Sequence, residues 1–130
     1  MDVRLITEAG VERCSPGRIE ALLDGPGLVW IDVMYWDAET AAYLSQRLHL
    51  HERAVHDCAV RNPVAKVHTY PDQAFLVLHA PEQGQRGHVH FVEIDQFVGP
   101  NWVRWSTSSP TACATSSPRS PTTCGRWSGR

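Results

Sequence analysis

The sequence predicts an α/β domain of the α+β type: a mixed β-sheet flanked by helices, followed by a disordered C-terminal tail. Three observations predict it. Apolar or alternating runs of strand length are interspersed with segments whose apolar residues recur at helical spacing. The later runs are joined by short turns, as at Pro71-Asp72 and Gly99-Pro100-Asn101, which suits hairpins better than a doubly wound parallel sheet. Finally, residues 104–130 hold seven Ser, five Thr, four Arg and three Pro, with no Leu, Ile, Val, Phe, Asp or Glu. Such a stretch buries too little to offset the entropy of ordering itself.

Val3 to Thr7 reads as a short strand. Ser15-Pro16 opens a helix, with Ser15 as N-cap and Pro16 at the tolerated first position. Ile19, Leu22 and Leu23 form its apolar face, and Gly25-Pro26-Gly27 ends it. Leu28 to Val33 is apolar on both faces until its end, as in a central strand covered on two sides. Asp37 caps a second helix carrying Ala41, Leu44 and Leu48. His51 to Cys58 forms a shorter third helix with Ala54, Val55 and Cys58 inward, and Pro63 blocks its continuation. Strands then follow at Ala65–Tyr70, Gln73–Ala80, His88–Val98 and, after Gly-Pro-Asn, at Trp102-Val103. Trp30, Ile31, Leu44, Leu76 and Leu78 are expected to be buried. The organisation is thus a domain over residues 1–103 and a tail over 104–130.

Charge sharpens that division. Residues 1–103 carry all 14 acids and eight of the 12 basic residues, and the remaining four, all arginines, lie in 104–130. An acidic body argues against a nucleic-acid binder. No apolar run approaches the roughly 18–20 residues that cross a bilayer, and Met1-Asp2-Val3-Arg4 does not open a signal peptide. Direct membrane insertion is not expected, and a reducing cytoplasm is the default compartment. The abrupt change at Val103–Arg104 suggests a shifted reading frame.

The densest chemistry lies between His49 and Asp57. Three imidazoles and adjacent acids allow a histidine-based zinc site. However, His49 and His51 fall on different faces of a helix, and Arg53 and Ala54 occupy positions where a His-x-His-x-Asp-His run needs ligands. His88 and His90 share a strand face near a turn, where solvation explains them. Glu93 and Asp95 also share a strand face, expected to be solvated. Cys58 reads as a small core residue, and no nucleophile elbow or phosphate loop is present, so no catalysis is expected. Asp57 breaks a local rule: it stands near a helix C-terminus, where the dipole disfavours a carboxylate, with Arg53 one turn earlier as the expected offset.

The order of these segments resembles the cytoplasmic N-terminal domain of the CorA family of magnesium transporters. Gly27 to Val33, the helix ending in Asp57, Ala65-Lys66-Val67, Phe75-Leu76-Val77-Leu78 and Gly99-Pro100-Asn101 carry the resemblance, over about residues 3–103. The chain departs from the family pattern at Glu52 and Ala65, where proline is usual, and at His56, where an acid precedes the aspartate. The stalk helix, the two membrane helices and the Gly-Met-Asn signature do not follow. The resemblance implies a regulatory domain of a homopentameric magnesium/cobalt ion transport protein, truncated and unable to transport alone. It also implies that Asp57 meets a weakly held Mg²⁺ or Co²⁺ at a subunit interface, on the cytoplasmic face of the membrane. The alternative is a free-standing metal-binding (His/Zn) or scaffold domain.

Overall fold

Residues 1–107 are described by the computed structural model. In chain order they form β1 (Asp2–Thr7), β2 (Gly10–Cys14), α1 (Ile19–Leu23), β3 (Leu28–Val33), α2 (Ala38–Leu48), α3 (Glu52–Ala59), β4 (Lys66–Thr69), β5 (Ala74–Gln83), β6 (Val89–Val98) and β7 (Trp102–Thr107). The strands make one mixed sheet in the order β2-β1-β3-β7-β6-β5-β4. Among the described strands only the central β3–β7 pair is parallel; its neighbours are antiparallel hairpins and returns. The α+β expectation is thus met, with β2 as a strand that the sequence pattern does not announce. Gly10 through Cys14 carry little apolar pattern, and pairing with β1 makes them a strand.

The three helices pack on one face of this sheet. Ile19 and Leu22 of α1, Leu44 and Leu48 of α2, and Ala54 and Cys58 of α3 share one core with Val29, Ile31, Val33, Phe75, Val77, Phe97 and Trp102. β3 therefore alternates between buried and half-buried positions instead of being covered on both sides. Ile31 and Leu44 are buried as expected, whereas Trp30 and Leu76 are half-buried and Leu78 is 41% exposed. A strand's period of two puts Leu76 and Leu78 on the face opposite Phe75 and Val77, and no described helix covers that face. Trp30 and Trp105 pack against each other there, ring centroids 6.3 Å apart.

Local chemistry sets the element ends. Pro16 starts a single 3₁₀ turn that leads into α1, although Ser15 makes no side-chain cap. Asp37 does cap α2: its Oδ1 accepts the Thr40 amide at 2.7 Å, and this bond holds its carboxyl below the usual value. Asp37→Ala is expected to speed hydrogen exchange at the Thr40 amide severalfold while leaving exchange in β3 unchanged. Gly27 sits at φ +112°, with Ile6 carbonyl oxygen 2.7 Å from where a Cβ would stand. Gly99 lies under the Trp102 indole, and Asn101 Nδ2 donates to the Leu23 carbonyl at 2.7 Å. Gly-Pro-Asn thus locks the entry to β7 onto the end of α1.

β7 runs past residue 103. Arg104 to Thr107, expected to begin the tail, complete this strand, and Arg104 is fully buried. Residues 108–130, the rest of the expected tail, lie outside the described residues.

Candidate metal site

α3 places Asp57. His51 caps it, with Nδ1 accepting the Arg53 amide at 3.2 Å, and its ring stacks on Tyr70 at 4.0 Å. Ala54 and Cys58 point into the core, which leaves Asp57 on the flank of the helix and half-buried. The partner of its carboxylate is Lys66, not Arg53: Lys66 Nζ donates to Asp57 Oδ2 at 2.7 Å, with the side chains 29% and 26% exposed respectively. Lys66 can reach because its register opposite Val77 turns it to the helix face of β4.

The turn after α3 is held by Asn62, a residue that no sequence pattern singles out. Its backbone N–H donates to Glu93 Oε1 and Oε2, both at 3.0 Å, and its Nδ2 lies 2.8 Å from Glu93 Oε1 and 2.9 Å from the Asp57 carbonyl. The His79 ring meets the Asn62 carbonyl at 2.9 Å. Glu93 is therefore buried, not solvated as the strand pattern suggested, because Asn62 supplies donors for its carboxylate. Asn62, His79 and Glu93 line a hollow of about 220 Å³ beyond the end of α3, to which Asp57 does not contribute.

Asp95, two positions along β6, is buried as well and lies on the same face as Arg104 and Ser106 of β7. Arg104 donates from Nη2 to Ser106 Oγ at 2.8 Å, has Nη1 3.6 Å from Cys58 Sγ, and stacks its guanidinium 3.9 Å from the Trp36 ring centroid. Burial, then the like charge of Glu93, push the Asp95 carboxyl up to about 6. Burial also pushes the Cys58 thiol up to about 12, so it stays protonated at neutral pH, as suits a core residue. Asp95 Oδ1 and Arg104 Nε have no hydrogen-bond partner within the described residues. A polar island thus underlies α3 directly beneath the segment that carries Asp57.

The histidines are dispersed. His49 adopts the left-handed conformation at the end of α2, its carbonyl accepting Gln73 Nε2 at 2.8 Å, while His51 is spent on capping and stacking. Among the described residues no group of three or more His, Cys, Asp or Glu is arranged to hold a metal ion. A cation at Asp57 would be held there by one carboxylate and water, or share it with ligands from another chain.

Known structures share the fold that carries these residues. The fold resembles the ZntB cytoplasmic domain from Vibrio parahaemolyticus, with a TM-score of 0.65 at 9% identity over 85% of this chain and 44% of that one. It also resembles full-length CmaX, with a TM-score of 0.67 at 14% identity over 82% and 34% of the two chains. The complete CorA magnesium transporter from Methanocaldococcus jannaschii gives 0.58 at 11% identity over 81% and 31%. The chain therefore spans less than half the length of each. None of the curated proteins matches the sequence significantly. Among the described residues no helix is long and apolar enough to cross a membrane. The sequence model of the CorA-like Mg²⁺ transporter protein family matches residues 25–104, well over half of the chain, and the chain belongs to that family.

Proposed function

We propose that this chain serves as the cytoplasmic cation-sensing domain of a CorA-like divalent-cation transporter, with Asp57 as the carboxylate that meets Mg²⁺ or Co²⁺. The observation that carries this is the setting of Asp57. It is solvent-reachable at the end of α3, inside the matched segment, and its carboxylate already holds a positive charge. Ion conduction is assigned to parts of the transporter outside this segment, so the domain alone transports nothing and performs no catalysis. Assembly into a homopentamer, as the family resemblance implies, would bring a neighbour's ligands to the same carboxylate. The isolated chain offers one carboxylate and water, so its affinity is expected to be about millimolar or poorer.

Titration with Mg²⁺, followed by backbone amide shifts, tests this reading. Shifts should centre on residues 54–60 and largely vanish in Asp57→Asn. That substitution removes an ion pair that is only about a quarter exposed and should change stability by about 1 kcal/mol. Shifts that centre on His49, His51 or His88 and survive the substitution would overturn the assignment in favour of a histidine site.

A further inference from the structure

We infer that Lys66 is a built-in occupant of the cation site, whose ammonium group competes with a divalent cation for Asp57 and so weakens its binding. This rests on the assignment of Asp57 as the cation ligand, and it adds a residue that sets the affinity of that ligand.

The geometry is that of an occupied site. Lys66 Nζ stands 2.7 Å from Asp57 Oδ2, the length of a charge-assisted hydrogen bond. Both side chains are about three-quarters covered, so the pair is less screened than one on open surface. Lysine suits a displaceable occupant, being a compact point charge on a flexible stem that can swing aside without disturbing the backbone. Its backbone is anchored, because the β4–β5 pairing sets Lys66 opposite Val77 and so fixes which face its side chain takes. The neighbouring Val67 projects to the other face and is exposed.

The ammonium holds one oxygen of this carboxylate, so a hydrated divalent cation must compete with it for the charge of Asp57. Placing Mg²⁺ beside an unmoved Lys66 sets like charges a few ångströms apart, with one carboxylate to offset both. Binding is therefore opposed by the ammonium and favoured once Lys66 swings aside, an exchange of one cation for another. The exchange has a structural consequence, since the Asp57–Lys66 pair ties the end of α3 to β4. Lys66 also contributes, as the smallest of its charge neighbours, to the field at buried Asp95. Cation arrival at Asp57 thus unties a helix from the sheet edge and moves a positive charge near the polar island below it.

The test uses Mn²⁺, which shares the oxygen preference of Mg²⁺, added to the full chain and followed by paramagnetic broadening of the residue 56–58 amides. Lys66→Met should tighten the apparent Kd about five-fold, the upper end for a partly exposed ion pair. Lys66→Arg, which keeps the charge, should bind as the unaltered chain does. The double variant Lys66→Met/Asp57→Asn should lose the broadening, which ties any gain to Asp57. Amide spectra without metal establish that each variant is folded. If Asp57→Asn abolishes broadening but Lys66→Met leaves Kd unchanged or weakens it, the role of Lys66 is overturned while the site stands. If Asp57→Asn leaves broadening intact in both backgrounds, the site assignment falls and takes this inference with it.

Discussion

Arg104→Ala is expected to lower the unfolding free energy by about 3–5 kcal/mol, the cost of breaking a buried charged network from one side. Arg104 is the largest fully buried side chain among the described residues, and contacts from the β3–α2 loop, from α3 and from its own strand converge on it. Its guanidinium stacks on Trp36, reaches Cys58 of α3 and bonds Ser106 within β7. Truncation to alanine opens a void beneath α3 and removes the positive charge that eases the burial of Asp95. A loss of that size approaches the whole stability of a small domain. Arg104→Met refills the volume without burying a charge and should recover part of the loss. Urea unfolding of both variants decides it. A decrease below about 1 kcal/mol for the alanine variant would mean that Arg104 is replaceable by solvent, contrary to its burial.

Asp95→Asn should change how stability depends on pH more than it changes the fold. The folded carboxyl is raised to about 6, chiefly by burial and next by Glu93, against an ordinary value of 3.8. Between those values the folded chain keeps a proton that the unfolded chain has released. The contribution of Asp95 to stability is therefore fully present below about pH 4 and lost as pH rises through about 6. Two pH units correspond to at most roughly 3 kcal/mol. Arg104, Cys58 and Lys66 also face this carboxyl, and the value already contains their influence. Because the other acids of the chain impose their own slope, the measured quantity is the difference between unaltered and Asp95→Asn chains in urea melts at pH 4 and pH 7. The variant should gain on the unaltered chain by about 2–3 kcal/mol over that interval. Parallel curves would show that Asp95 is ionised and compensated in the fold.

Much of the architecture was legible because it rests on local rules. Apolar spacing marked the faces of α1, α2 and α3, Asp37 announced its cap, and Gly99-Pro100-Asn101 marked the turn into β7. Asp57 stood out through its place at a helix C-terminus, and the segment order carried the family resemblance. β2 stayed hidden because an edge strand with one neighbour needs little apolar pattern of its own.

The polar interior could not be read in advance, for a physical reason. A carboxylate or guanidinium in a strand pattern reads as solvent-facing, because burying it costs several kcal/mol unless partners are supplied. Those partners come from distant parts of the chain. Asn62 reaches Glu93 across 31 residues, and Cys58 meets Arg104 across 46. Lys66 is nine residues from Asp57, out of reach along any helix, and becomes its partner only when β4 pairs with β5. The sequence by itself determined the fold class, the Asp37 cap, the turns and the position of Asp57, since each depends on residues a few places apart. Tertiary structure alone decided that Glu93, Asp95 and Arg104 lie inside and that Lys66 occupies Asp57. Burial and ion pairing are properties of the environment that the packed chain creates, and local pattern does not contain it.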